Sequence, residues 1–134
     1  MSRIRVMRIV ARMNVGGPAL QVSGLMTRLD SERYDHRLLV GEVGPHEADL
    51  LELRAPDVDA LRVAGLGRAP NAVADLRALH QLVQEIRSFR PDIVHTHTAK
   101  AGALGRTAAM LGRTPVRVHT FHGHLLSGYF GPVA

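Results

Sequence analysis

The sequence predicts a single α/β domain whose sheet is doubly wound and mainly parallel. Short apolar runs of strand length alternate with longer segments whose apolar residues recur at helical spacing. Alternation of this kind is typical of a parallel sheet with helices on both faces. The length of 134 residues suits one domain.

The first part of the chain predicts strand, turn, helix and strand in that order. Residues 4–10 supply the first strand, and the Asn-Val-Gly-Gly-Pro segment at 14–18 predicts a turn. Residues 19–29 predict a helix, and Pro18 suits its first position because the missing N–H costs nothing there. The apolar centre of residues 35–43 is typical of a buried parallel strand.

The middle of the chain gives a weaker signal followed by a strong one. Residues 44–56 remain open, with a short helix over 47–53 as one interpretation. Alternating apolar and polar residues predict a third strand over 58–63. A long amphipathic helix is predicted over 72–89, with Asn71 as its N-terminal cap.

The last part predicts a fourth strand over 93–97, a helix of small residues over 99–111, and a fifth strand over 116–121. Thr98 is the expected N-cap of that helix. Residues 122–134 predict a glycine-bearing loop. This order of elements is Rossmann-like.

Composition excludes several classes of protein. The chain has no cysteine, so disulfides and thiolate metal sites are ruled out. Arginines interrupt the apolar residues at the N-terminus, and no run approaches the roughly 18 residues of a membrane span. We therefore expect a cytoplasmic chain without a secretion signal.

The net charge of +5 comes from scattered arginines. The scatter favours an arginine-rich composition over a nucleic-acid site, because no basic block carries interleaved aromatic residues. The charge is compatible with peripheral docking on an anionic inner leaflet.

Three segments are predicted to lie at the carboxyl ends of strands, where open parallel sheets bind ligands. They are residues 14–18, 95–100 and 121–128. In the first, Gly16 and Gly17 permit close backbone approach to a phosphate at a helix N-terminus. A plain strand-to-helix turn explains the same glycines equally well.

Histidines and one lysine supply the polar side chains of the other two segments. His95 and His97 point to one side of a strand. Lys100, the only lysine, lies in the first turn of a helix, where the helix dipole disfavours a cation. It suggests contact with an anionic ligand, with an ordinary exposed lysine as the alternative. His122, followed by Gly123, is placed to donate to a ligand oxygen.

The five histidines of these segments also raise the question of zinc. The positions are His95, His97, His119, His122 and His124. Their spacing matches no specific zinc pattern and no cluster of acidic residues accompanies them, so no metal is predicted. Partly buried structural roles are the alternative for His95 and His119.

The glycine pair, together with "RPDIVHTHTAKAGALGRTAA" and "GRTPVRVHTFHGHLLSGYF", resembles the N-terminal domain of glycosyltransferase family 4. The resemblance is to bacterial enzymes that build polysaccharides on lipid-linked carriers. It implies one domain of a GT-B pair, a metal-free retaining reaction and no cofactor. The N-terminal domain holds a glycan or polyprenyl-linked acceptor, and the C-terminal domain holds the nucleotide-sugar donor.

The resemblance also implies roles for single residues. Gly16 and Gly17 approach the donor diphosphate, and His122 is the catalytic histidine that contacts the transferred sugar. His97, Lys100 and Gly123 line the acceptor side.

One departure from the family pattern affects the expected activity. No C-terminal donor domain is present within residues 1–134. We expect this chain alone to be inactive, while the parent enzyme transfers sugar. A stand-alone phosphate- or nucleotide-binding module and a histidine-based metal hydrolase are the other hypotheses.

Overall fold

A computed structural model describes residues 2–13, 17–43, 48–49, 60–67 and 71–121. Five parallel strands in the order β3-β2-β1-β4-β5 form one sheet. The strands are β1 (Ile4–Val10), β2 (Tyr34–Val40), β3 (Ala60–Arg62), β4 (Ile93–His97) and β5 (Val116–Thr120). The helices are α1 (Gly17–Arg28), α2 (Ala72–Phe89) and α3 (Ala99–Leu111). The predicted doubly wound parallel sheet is confirmed.

The strongest sequence signals gave correct element bounds. α2, β4 and α3 begin and end where the sequence predicted. Asn71 caps α2 because its side-chain oxygen accepts a hydrogen bond from the Ala74 N–H at 3.0 Å. The short helix considered over 47–53, the start of the strand predicted at 58–63 and the predicted loop at 122–134 lie largely or wholly outside the described residues.

Three predicted strands end early, and one helix starts early; among the strands, β3 ends at Arg62, one residue before the predicted end. β2 stops at Val40 because Gly41 turns to donate its N–H to the Ala11 carbonyl at 2.9 Å. β5 ends at Thr120, one residue before the predicted end. α1 starts at Gly17, which places Pro18 inside its first turn, where a missing N–H is tolerated.

Each face of the sheet has its own apolar core. The face under α2 and α3 packs Met7 and Ile9 of β1 against Leu82 and Ile86 of α2. The opposite face packs Val10, Val22, Leu38 and Val40 beneath α1. Side chains of β1 thus point alternately into the two cores, as expected for a central strand that is covered on both sides.

Small residues let α3 lie close to the sheet. A Cβ added to Gly102 would lie 2.5 Å from Cε1 of His119, and one added to Gly105 would lie 2.6 Å from Cγ2 of Thr96. Both distances are far below van der Waals contact, so a larger residue would push the helix away. The imidazole of His119 is held in place because its Nδ1 shares a 2.8 Å hydrogen bond with the Thr96 hydroxyl.

A partly buried pair of basic residues, Arg8 and His36, lies on the α1 side of the sheet. Arg8 of β1 is only 4 % exposed, and its Nη1 donates to Nδ1 of His36 at 2.6 Å. The donor also lies 3.6 Å from the sulfur of Met26. Burial and the neighbouring guanidinium lower the pKa of His36, against a smaller opposing effect of Asp35. The folded protein therefore keeps this imidazole neutral.

We predict that Gly102→Ala destabilises the fold and Gly24→Ala does not. Overpacking against the fixed His119 ring costs about 1–3 kcal/mol, less the roughly 1 kcal/mol that alanine gains in a helix. A Cβ added to Gly24 of α1 would have no atom of the described residues within 4 Å. Gly24→Ala therefore has only the favourable effect of the higher helix propensity of alanine. Urea unfolding measures both. Equal stability of the two variants would contradict the close packing of α3.

We also predict that stability falls as the pH drops below the ordinary histidine pKa of about 6.5. Between the lowered pKa of folded His36 and that value, the unfolded chain binds more protons, so the free energy of unfolding decreases with decreasing pH. His36→Gln should reduce this loss. Urea unfolding at several pH values measures it, with exposed His80→Gln as the control. Identical pH profiles for wild type and His36→Gln would refute the assignment.

Candidate functional site

The carboxyl edge of the sheet brings three strand ends to one level. Val10 of β1 is the register partner of His97 of β4, which is the partner of Thr120 of β5. The chain leaves β1 toward β2 on one side, whereas β4 and β5 lie on the other. The strand order therefore reverses between β1 and β4, where doubly wound sheets hold their ligands.

The first of the three predicted ligand-binding segments, residues 14–18, runs into the start of α1. Gly17 is the first helical residue, and a Cβ added there would meet no atom of the described residues within 4 Å. Internal packing therefore does not require this glycine, in contrast to Gly102. Open space beside a helix N-terminus is what the predicted phosphate contact needs. Gly16 lies outside the described residues.

Thr98 joins β4 to α3 in an unusual conformation. Its φ of 71° and ψ of 165° lie in a region that β-branched residues rarely adopt, at a cost of about 1–3 kcal/mol. Thr98 occupies the N-cap position, but the predicted side-chain cap is wrong, because the hydroxyl donates to the His97 carbonyl instead. The side chain of Thr98 thus leaves the first N–H groups of α3 uncapped at the carboxyl edge.

Lys100 is anchored inside the domain. Its Nζ donates to the Gly65 carbonyl at 2.7 Å and lies 2.8 Å from Oδ1 of Asp75. These contacts tie α3 to α2 and to the turn after β3. The hydrogen bond from Lys100 lowers the pKa of Asp75. The structure thus gives the lysine internal partners, and its contact with the acceptor stays a prediction.

The histidines of β4 lie side by side, as their spacing predicted. The ring centroids of His95 and His97 are 4.1 Å apart. Nε2 of His95 shares a 2.6 Å hydrogen bond with the Thr120 hydroxyl, so this ring links β4 to β5. His97 is fully buried, and its role on the acceptor side remains a prediction.

His119 lies on the opposite face of the sheet from His95 and His97. It packs beneath Gly102 and makes an edge-on contact with the Phe121 ring at 4.4 Å. The structural interpretation of His95 and His119 is confirmed for both. Within the described ranges, no three His, Cys, Asp or Glu residues are placed to hold a metal ion.

A glycine contact beside the site was missed in the sequence. Cβ atoms added to Gly41 or Gly67 would lie 2.3–2.5 Å from backbone atoms of the other loop, namely Gly67 N and Glu42 O. The loops after β2 and β3 therefore touch backbone to backbone. Two glycines spaced 26 positions apart gave no local signal of this contact.

Two of the predicted site residues, His122 and Gly123, follow Phe121, the last residue described. Their roles remain predictions. None of the helices in the described part of the chain combines the length and apolar character that crossing a membrane requires.

The chain matches a known protein family. A family model described as glycosyl transferase 4-like domain matches residues 16–134. The chain therefore belongs to this family, and its resemblance to the N-terminal, GT-B-type domain of family 4 glycosyltransferases is confirmed.

One relative and two solved structures illustrate the similarity. The chain is 38 % identical over 95 residues to a UDP-Gal:alpha-D-GlcNAc-diphosphoundecaprenol alpha-1,3-galactosyltransferase of Escherichia coli, covering 71 % of this chain and 24 % of that protein. A putative UDP-N-acetylglucosamine 2-epimerase from Listeria monocytogenes aligns at a TM-score of 0.70 and 17 % identity, covering 90 % of this chain and 32 % of that one. The lipopolysaccharide outer core galactosyltransferase WaaB aligns at 0.70 and 11 % identity, covering 89 % and 33 %. At these identities the two structures establish the fold alone, and the chain spans about a quarter of the relative's length.

We predict that Lys100→Met lowers the thermal midpoint more than Arg77→Met, an exposed change on α2. The lysine variant loses an ion pair and a backbone contact together. Because Lys100 lowers the Asp75 pKa, the pair stabilises the fold above the usual Asp value of about 3.9 and loses this effect as the pH falls through the folded pKa.

The difference between Lys100→Met and wild type should therefore shrink from pH 7 toward pH 3. Thermal unfolding followed by circular dichroism at both pH values measures it. A difference that stays constant, or a Lys100→Met midpoint equal to that of Arg77→Met, would contradict the structural role of the pair.

Proposed function

We propose that this chain is the acceptor-side half of a retaining glycosyltransferase that moves a sugar from a nucleotide-sugar donor to a glycan or polyprenyl-linked acceptor. The observation that carries the proposal is the carboxyl edge, where the ends of β1, β4 and β5 meet beside the starts of α1 and α3. Membership of the glycosyl transferase 4-like family supports the reaction class.

The donor side of this proposal rests on Gly16 and Gly17. A diphosphate needs backbone N–H groups and the positive end of a helix dipole, and the start of α1 offers both. No atom of the described residues lies within 4 Å of a Cβ added to Gly17, which supports an open approach for such a group. The donor itself is held by a second domain outside this chain, so the two glycines contact it from across a cleft.

The acceptor side rests on His97, Lys100 and Gly123. The E. coli relative is named for an acceptor in which a sugar is joined to diphosphoundecaprenol. We propose an acceptor of the same chemical class here. Lys100 contributes by fixing the first turn of α3 through Asp75, which keeps the uncapped N–H groups of α3 at the edge.

His122 is the proposed catalytic residue. In the sequence it follows Thr120 by two positions, and Thr120 ends β5 at the level of His97 and Val10. A hydrogen bond between its ring and a hydroxyl group of the transferred sugar would hold the sugar in position as the bond to the diphosphate breaks. The reaction uses no metal, retains the anomeric configuration and requires both domains, so residues 1–134 alone are inactive.

We propose a cytoplasmic enzyme that meets its lipid-linked acceptor at the inner face of the membrane. The excess of positive charge on the chain supports attraction to an anionic leaflet.

The test uses the polypeptide that the whole gene encodes, incubated with labelled UDP-sugars and a sugar-diphosphate-polyprenol acceptor. We expect transfer to the lipid, with His122→Ala reducing turnover about 100-fold or more. Gly17→Ala should raise the donor KM about tenfold, because a methyl group then occupies the space for the diphosphate. Gly24→Ala, on the same helix, is the matched control and should behave as wild type.

Several results would contradict this proposal. Donor binding without any transfer would favour a phosphate- or nucleotide-binding module that performs no catalysis. An unchanged donor KM in Gly17→Ala would show that the diphosphate does not bind at the start of α1. Activity that requires an added metal ion would refute the metal-free reaction.

A further inference from the structure

A cluster of arginines lies at the amino edge of the sheet, opposite the proposed active site. A surface pocket of about 550 Å³ opens there between the ends of α2 and α3. Its lining includes Arg5, Arg87, Arg90 and Arg113, with Asp92 as the single acidic residue. We call this the amino-edge pocket.

The backbone brings these arginines together from distant parts of the chain. Arg87 lies in the last turn of α2, and Arg90 follows as its C-cap with a left-handed φ of 53°. Arg113 follows α3 with a left-handed φ of 59°. Arg5 enters from the start of β1. The clustering therefore depends on the parallel topology, because both helices end at the edge where their next strands begin.

The positive charge of the pocket is only partly balanced. Asp92 accepts a hydrogen bond from the Arg5 N–H at 2.9 Å and lies 4.0 Å from Nε of Arg5. Among the residues that the structure describes, no carboxylate lies within ion-pair distance of Arg87, Arg90 or Arg113. Within the described part of the chain, three arginines thus line one pocket without a carboxylate at ion-pair distance.

Helix dipoles do not account for all of this charge. Each helix C-terminus carries about half a negative charge, so the ends of α2 and α3 together offset about one of the four arginines. Asp92 offsets one more. About two positive charges remain.

We propose that the amino-edge pocket binds a phosphate-bearing anion. Guanidinium groups match the geometry of phosphate oxygens with paired N–H donors and stay charged at neutral pH. The volume of about 550 Å³ leaves room for more than a single phosphate, so a diphosphate or a phosphate ester fits. The ligand is either a soluble phosphorylated molecule or the headgroup of an anionic lipid.

This site is separate from the carboxyl edge. The five residues of β4, Ile93–His97, span roughly 16 Å between the two edges. A ligand in the amino-edge pocket would therefore not occupy the donor or acceptor positions. The proposal does not depend on the proposed transferase activity.

Titration of the ¹⁵N-labelled 134-residue chain with pyrophosphate and with inorganic phosphate tests the proposal. We expect saturable shifts of the backbone amides of Gly112, Arg113 and Thr114, with an affinity that falls as salt is added. Arg87→Gln combined with Arg113→Gln should weaken binding about tenfold or more. The matched control, Arg28→Gln with Arg77→Gln, removes the same charge from exposed positions outside the pocket. The spectra themselves report whether each variant is folded.

A second arm identifies the source of the phosphate. Vesicles of phosphatidylcholine are compared with vesicles that also contain phosphatidylglycerol. Binding to the anionic vesicles that the pocket variant loses, and that pyrophosphate displaces, identifies a lipid headgroup. Pyrophosphate binding without vesicle binding identifies a soluble ligand. The proposal is overturned if neither probe binds, or if the pocket and control variants bind equally well.

Discussion

Val10 lies beside His97, and His97 beside Thr120, because β1, β4 and β5 pair in parallel with a fixed register. This pairing puts three strand ends at one level and leaves the reversal of strand order between β1 and β4. The starts of α1 and α3 must then face the same edge, since each helix is the next element along the chain after its strand. A register shift of one residue would send every β4 side chain to the opposite face, burying Ile93 and His95 in the α2 and α3 core.

Close packing holds α3 in a fixed position on the sheet, so the strand register also fixes where the first turn of α3 lies at the carboxyl edge. Gly102 and Gly105 let the helix rest on His119 and Thr96, so its first turn is fixed relative to the strand ends. Thr98 joins β4 to α3 in a strained backbone conformation, and such strain often occurs at functional sites. Because the fit is tight, loosening α3 would also move the first N–H groups of this helix at the carboxyl edge.

The periodic spacing of apolar residues predicted the long helices and strands, because this spacing reflects structure formed by residues close together in the sequence. The bounds of α2 and the cap at Asn71 follow from local patterns alone. The contact of Lys100 with Asp75 does not, because it joins two helices 25 positions apart and only the folded sheet brings them together. For the same reason the backbone contact of Gly41 with Gly67 was missed, and Thr98 was expected to cap α3 when its hydroxyl turns to the preceding carbonyl.

The proposed function requires the carboxyl edge between β1 and β4 to face the reacting sugar. Hydrogen–deuterium exchange on the polypeptide of the whole gene, with and without UDP-sugar and acceptor, measures this. We expect slower exchange at the first turns of α1 and α3, around Gly17 and Lys100, when both substrates are bound. Protection confined to the amino edge, with no change at those two helix starts, would contradict it.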